Sequence, residues 1–186
     1  GILTMRPSKT RDLTRVAMFT ALMCVLAYVF LQLPISPVAI SSQTFGVMLA
    51  GLVLEPNLAA LSQALYVLLG ALGLPVFAGG ASGIGILIGP KGGYLWGFIV
   101  GAYVTATVIQ KAKKTGKPIT WLMLAFASLV GGVIIVYAIG VLQLAIVADL
   151  AFRTAFSVGV LPFLPGDLTK INTASLIAKR LRSALH

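Results

Sequence analysis

Long apolar runs, separated by short polar or Gly/Pro-rich stretches, set out the plan of this chain. The pattern predicts six helical spans at about 15–33, 43–54, 57–73, 92–111, 119–144 and 166–183, within one membrane domain covering 5–185. A helix needs roughly 20 apolar residues to cross a hydrocarbon core, and the runs are continuous rather than alternating, which disfavours a β-barrel. Pro34 and Pro37 stop the first run. Glu55-Pro56-Asn57 divides the short second span from the third, with the proline suited to a first helical turn. Residues 146–160 read as a partly amphipathic segment, in which Asp149 and Arg153 stand at i, i+4 and are expected to pair. Pro162, Pro165 and Gly166 are expected to break any helix just ahead of the last span.

Composition agrees with that plan. Of the 186 residues, 59% are hydrophobic and only 10% charged, and the mean hydropathy is +1.02. These values exclude a soluble globular domain and a disordered chain alike. The expected fold class is an all-α integral membrane protein of six transmembrane helices.

The net charge of +10 suggests nucleic acid until the charges are placed. All lysines and arginines except Lys91, Arg153 and Lys170 fall in three clusters, at residues 6–15, 111–117 and 179–182. Basic clusters flanking apolar spans follow the positive-inside rule. Six spans with the first cluster inside bring all three clusters to the cytoplasmic side, along with both termini. The expected location is therefore a multi-pass protein of the cell membrane that does not bind nucleic acid. Loops 34–42, 73–93 and 145–165, which carry the prolines, the glycines and the isolated charges, then face outward.

Several chemistries find no support. Cys24 is the only cysteine and His186 the only histidine, so neither a disulfide nor a His/Cys metal cluster nor a Ser-His-Asp arrangement can be assembled. Gly89-Pro90-Lys91-Gly92-Gly93 lacks the spacing of a P-loop, so no ATP site is expected, nor any cofactor or metal. Gly1–Thr4 read as an expression scar and His186 as the start of a tag. The first run is too long for a cleaved signal peptide.

The chemistry that remains is polar residues at membrane depth. Asp167 and Lys170 stand three apart on one helix face between apolar stretches. Ionisable groups there are costly and are read as functional, although Asp167 also suits a helix start. The stretch 73–93 is rich in glycine yet apolar, and irregular backbone at that depth belongs beside protein or a cavity. Gly79, Gly80 and Ser82 in it are candidates to approach a ligand, as are Phe77 and Tyr94, which bracket the glycines. Belt positions at the interface are the alternative for the two aromatics, and snorkelling for Lys91. Gln43, opening the second span, suits either a ligand contact or a bond between helices. Ala17 and Ala21 present small residues four apart, suited to close helix packing.

Four segments together resemble one family: Ser42-Gln43 with Gly46-x-Met48-Leu49-Ala50-Gly51, Leu74-Pro75-x-Phe77-x-Gly79-Gly80, Gly89-Pro90-x-Gly92-Gly93-Tyr94-Leu95-x-Gly97, and Leu161-Pro162-Phe163-x-Pro165-Gly166-Asp167-x-x-Lys170. In this order they resemble the BioY family, the biotin-specific S components of energy-coupling factor (ECF) transporters. The resemblance runs from about Arg15 to Lys179. It implies the ECF S-component fold, a biotin site roofed by the outer loops, and no enzymatic activity. It also implies partners, a transmembrane coupling protein with ATPase subunits, which Ala17 and Ala21 would face. Some members carry a basic residue directly after the glycine pair, where this chain has Ala81-Ser82. For biotin, Asp167 suits the ureido N–H groups, while Gln43, Tyr94 or Ser82 suits the carbonyl or carboxylate. Lys170 suits either the carboxylate or Asp167. Phe77 supplies an apolar wall. A solitary biotin carrier, an S component for another small vitamin, and, more remotely, an intramembrane enzyme pairing Asp167 with Asp149 are the competing readings.

Overall fold

The computed structural model describes residues 7–31, 34 and 40–185. Residues 1–6 with the expected scar, His186, Pro37 and most of the first outer loop lie outside the described residues. The architecture is all-α with one small ribbon. In order come α1 (Pro7–Leu26), β1 (Phe30–Leu31), β2 (Ile40–Ser41), α2 (Gln43–Val53), α3 (Pro56–Ala71), α4 (Ile84–Ile88) and α5 (Gly92–Lys114). Then follow α6 (Trp121–Ala127), a π-helical stretch (Ser128–Ile135), α7 (Val136–Val147), α8 (Phe152–Gly159) and α9 (Leu164–Leu185). Because α6, the π-helical stretch and α7 run on as one 27-residue helix, the described residues form six principal rods.

Helix α1 departs from expectation at both ends. It begins at Pro7, where a proline fits the first turn, and it ends at Leu26 rather than continuing to residue 33. Beyond Leu26 the β-branched and aromatic residues leave the helix, and Phe30–Leu31 pairs antiparallel with Ile40–Ser41. The Ser42 hydroxyl donates to the freed Leu26 carbonyl at 2.9 Å, closing the helix end. A second correction concerns the prolines near the last span. Leu161–Phe163 form a 3₁₀ turn and α9 starts at Leu164. Pro165 and Gly166 therefore lie in its first turn, where a missing N–H costs nothing. Third, Asp149 and Arg153 form no ion pair. Asp149 sits in the turn between α7 and α8 with φ of 53°, so the helical i, i+4 relation never arises.

Helix α5 is the central post and packs against α2, α3 and α7. Its glycines at 93, 97 and 101 recur every four residues and face the rod that includes α7. A methyl group on Gly97 would come within 2.9 Å of the Val136 Cα, and one on Gly93 within 2.7 Å of the Ile139 carbonyl. Small-xxx-small spacing brings the two backbones together where lipid leaves little hydrophobic drive. Large apolar side chains such as Leu72, Leu122 and Ile146 point outward, the inverse of a water-soluble surface. The stretch 73–93, expected to be irregular, holds a 3₁₀ turn (Ala78–Gly80) and the short α4.

Candidate substrate-binding site

At the end of the bundle where α2 and α9 begin, the loops partly enclose a cavity of about 110 Å³. Phe30 and Ser41 of the ribbon, Gln43 and Thr44 of α2, and Phe77, Ala78 and Ala81 of the glycine loop form one side. Ile86, Lys91, Tyr94, Leu95 and Phe98 form another, and Tyr137, Phe163 and Lys170 complete it.

Aromatic rings make the walls, and glycines make room for them. Phe77 is buried and meets Tyr66 edge-on, with centroids 5.8 Å apart. A side chain at Gly70 would overlap the Phe77 ring. Tyr94 meets Tyr137 edge-on at 6.2 Å, and Tyr137 stacks on Phe163 at 6.4 Å. The Tyr94 hydroxyl donates to the Gly159 carbonyl at 2.8 Å, and a methyl group on Gly140 would press within 2.6 Å of the Tyr94 ring. The glycine loop itself reverses at Gly79 and Gly80, which have φ of 71° and 83°, a region that side-chain-bearing residues rarely adopt. The Gly79 N–H donates to the Ala27 carbonyl at 3.0 Å, docking the loop on the end of α1. Tyr28 secures it further, its hydroxyl donating to the Pro75 carbonyl.

A connected polar network backs this wall. Lys170 donates from Nζ to the Ser41 carbonyl at 2.7 Å, to Thr44 Oγ1 at 3.0 Å and to Asp167 Oδ1 at 3.5 Å. An ammonium has three protons, so all are committed. The second carboxylate oxygen of Asp167, Oδ2, accepts from the Tyr137 hydroxyl. Asp167 is 2% exposed, and a carboxylate so buried is tolerable only when paired and hydrogen-bonded. On the opposite wall the Gln43 amide nitrogen donates to the Tyr66 oxygen, and that hydroxyl donates to the Val76 carbonyl at 2.8 Å. This fixes the Gln43 amide with Oε1 as its acceptor end, where it accepts from the Ser41 hydroxyl at 3.5 Å and keeps one lone pair. The Lys91 side chain makes no hydrogen bond or ion pair among the described residues, and it lines the cavity.

The sequence-derived candidates divide three ways. Gln43, Phe77, Tyr94 and Lys170 line the cavity. Asp167 stands behind the wall, reaching it through Tyr137 and Lys170, instead of presenting its own oxygens. Gly79, Gly80 and Ser82 lie off the lining, although Ala78 and Ala81 beside them are on it. Ala17 and Ala21 are on the exposed face of α1, opposite the buried Val16, Thr20 and Met23. The residues that the sequence reading missed are Tyr137, Thr44, Ser41, Phe30 and Phe163. Tyr137 sits in an unbroken apolar run, and nothing local marks it as the partner of a carboxylate thirty positions later.

The family model described as the BioY family matches residues 4–186. A "Biotin transporter BioY" of Thermotoga maritima is 43% identical over 173 residues, covering 92% of this chain and 96% of that protein. One from Rhizobium etli is 39% identical over 176 residues, covering 91% and 92%. Among solved structures, the S-component for biotin from an ECF-type ABC transporter superposes with a TM-score of 0.89 at 30% identity, covering 98% of this chain and 95% of the other.

Proposed function

The chain belongs to the BioY family, and from that membership we propose that it is the biotin-binding S component of an ECF-type uptake transporter rather than an enzyme. The observation that carries the site reading is the aromatic cavity backed by the committed Lys170–Asp167–Tyr137 network. Biotin pairs a polar ureido ring with an apolar thiophane ring and valeryl chain, ending in a carboxylate. The apolar parts suit the walls made by Phe77, Phe98, Tyr94 and Phe163. Gln43 Oε1 suits a ureido N–H, because its amide nitrogen is already held by Tyr66. The Tyr137 oxygen offers a further acceptor. With all three Lys170 protons committed inside the protein, Lys91 at the rim is the cation left for the biotin carboxylate. It supplies the positive charge that this chain lacks at Ala81. Asp167 then acts one side chain away from the ligand, fixing Tyr137 and Lys170 in place.

The membrane arrangement that goes with this role has six spans and both termini in the cytoplasm, with the cavity facing outward. The exposed Ala17–Ala21 face of α1 is suited to dock on the coupling protein, whose ATPase subunits supply the energy that this chain has no motif to provide. Isothermal titration of the ligand-depleted protein with biotin tests the reading, with thiamine and riboflavin as controls. One biotin per chain and neither control bound is the expected result. Absence of biotin binding by the folded protein would overturn it.

A further inference from the structure

Lys91 reaches the cavity rim from a short turn, Gly89-Pro90-Lys91, between α4 and α5. Its side chain is exposed and its four-carbon stem is flexible, so what the fold can preset is the backbone that carries it. Pro90 fixes its own φ, and the Gly92 N–H closes back on the Gly89 carbonyl at 3.1 Å. These features shape the turn without anchoring it to the rest of the bundle.

The anchor comes from Gln143 on α7. Its amide nitrogen donates to the Leu87 carbonyl at 2.7 Å and to the Gly89 carbonyl at 2.8 Å. An amide NH₂ has two protons, so both are committed to the segment that leads into Lys91. The glycine pair after Lys91 makes room for this side chain. A Cβ on Gly92 would come within 2.5 Å of Gln143 Nε2, and one on Gly93 within 2.7 Å of Gln143 Cβ. The Gly-Pro-Lys-Gly-Gly stretch, whose spacing is wrong for a P-loop, is thus shaped to admit a glutamine from another helix.

Helix packing alone does not call for these bonds. Glycines 93, 97 and 101 already bring α5 against the rod that includes α7, and Gln143 sends neither proton to α5. Within α7 the polar side chains are Tyr137 and Gln143, six residues and so about 9 Å apart at 1.5 Å per residue. Tyr137 lines the cavity, whereas Gln143 lies off the lining and holds the turn. One rod therefore sets the separation between an acceptor for the ureido ring and the cation for the carboxylate. A binding group is most effective when supporting hydrogen bonds fix it before the ligand arrives. We propose that Gln143 is a positioning residue that holds the Gly89–Lys91 turn so that Lys91 meets the ligand's carboxylate, and thereby sets the preference for a charged acid over a neutral analogue. This rests on the reading of Lys91 as the carboxylate partner.

The test is calorimetric titration of the purified full chain with biotin and with biotin methyl ester. Gln143→Met keeps the length of the side chain and removes both donors. Each carbonyl retains a second donor, Trp96 Nε1 at 3.3 Å for Leu87 and the Gly92 N–H for Gly89, so the variant is expected to fold. Biotin should bind about threefold to fivefold more weakly and the ester within about twofold of wild type, because the lost preorganisation falls on the charged contact. On a Lys91→Gln background the same substitution should leave the acid-to-ester ratio unchanged, the non-additivity of residues that act as one unit. Thr20→Val breaks a bond between α1 and the Ser62 carbonyl, 3.0 Å long and away from the cavity, and should leave the ratio at its wild-type value. If Gln143→Met does not fold, as judged by thermal unfolding, Gln143→Asn, one methylene too short to span both carbonyls, decides by the same ratio. Equal weakening of acid and ester, or no change in either, overturns the proposal. A Lys91→Gln variant that fails to discriminate acid from ester overturns the reading of Lys91 and this inference with it. A selective loss in Lys91→Gln without one in Gln143→Met overturns this inference alone.

Discussion

Lys170 donates to the backbone carbonyl of Ser41 across 2.7 Å, tying the last helix to a residue 129 positions earlier. The same ammonium reaches Thr44 and Asp167. One cation therefore joins the start of α9 to the start of α2 and positions the ribbon residue that lines the cavity. The packing of this end of the bundle and the shape of the cavity thus depend on one largely buried group.

Removing that group should affect both. Lys170→Met leaves the Asp167 carboxylate buried with its positive partner gone, a change that costs about 3–5 kcal/mol in proteins generally. The expected outcome is a lower unfolding temperature together with at least a tenfold weaker affinity for biotin. Asp167→Asn keeps the shape and removes the charge, so it should weaken biotin binding about tenfold through loss of charge-assisted bonds worth about 1.5–3 kcal/mol. Calorimetric titration reads both. Wild-type affinity in Asp167→Asn would remove the carboxylate from the site altogether.

Tyr137→Phe separates the two arms of the network. It removes the bond to Asp167 Oδ2 while leaving the stacking on Phe163 and the edge contact with Tyr94 in place. The carboxylate then keeps only its Lys170 bond, and one charge-assisted hydrogen bond is lost, about 1.5–3 kcal/mol. The expected biotin affinity falls about fivefold, with thermal stability reduced less than in Lys170→Met. An affinity loss as large as that of Asp167→Asn would mean that Tyr137 contacts the ligand more directly than through its acceptor oxygen alone.

The sequence was legible wherever a local signal existed. Apolar runs marked the principal rods, and Asp167 with Lys170 stood out because charge is rare at that depth. Glycine spacing marked the loop that reverses at Gly79 and Gly80. Tyr137 was invisible because a tyrosine in an apolar run looks like any other packing residue, and its role depends on α7 lying against the start of α9. The early end of α1 was also hidden. Residues 27–33 are apolar enough to continue a span, and only their pairing with Ile40–Ser41 takes them out of it. Asp167 stands at the cavity end of the molecule but one layer behind the cavity wall, because spacing along a helix says nothing about which oxygen is already taken.

Glycines that seat the aromatic wall give a prediction about shape. Gly70→Ala pushes a methyl group into the Phe77 ring, and Gly140→Ala pushes one against Tyr94. Overpacking of this kind typically costs about 1–3 kcal/mol. Both variants should unfold at lower temperature and bind biotin more weakly, since the displaced rings form the cavity wall. Gly166→Ala, with open space around it, should change neither and serves as the control. Thermal unfolding with and without biotin distinguishes the three.

Lys91 should distinguish charged from uncharged ligands. If it meets the biotin carboxylate, Lys91→Gln lowers affinity for biotin by about fivefold to tenfold, the range for a charge-assisted bond partly screened by solvent. Affinity for biotin methyl ester, which has no carboxylate charge, should hardly change. The wild-type preference for the acid should also shrink as ionic strength rises. A parallel loss for acid and ester would instead make Lys91 a structural residue of the loop.

Coupling should separate from capture on α1. Ala17 and Ala21 lie on the exposed side of that helix, while the cavity lies at the opposite end from the Pro7 start and does not involve either residue. Close helix contact depends on small side chains, so Ala17→Leu with Ala21→Leu fills a docking face without touching the ligand site. Titration of the purified variant should give wild-type biotin affinity, while co-purification with the coupling protein and ATP-dependent uptake should both be lost. Loss of biotin binding as well would show that the α1 face packs within the chain. Retained uptake would move the docking surface elsewhere, most directly to the ends of α5 and α9 where the remaining basic residues gather.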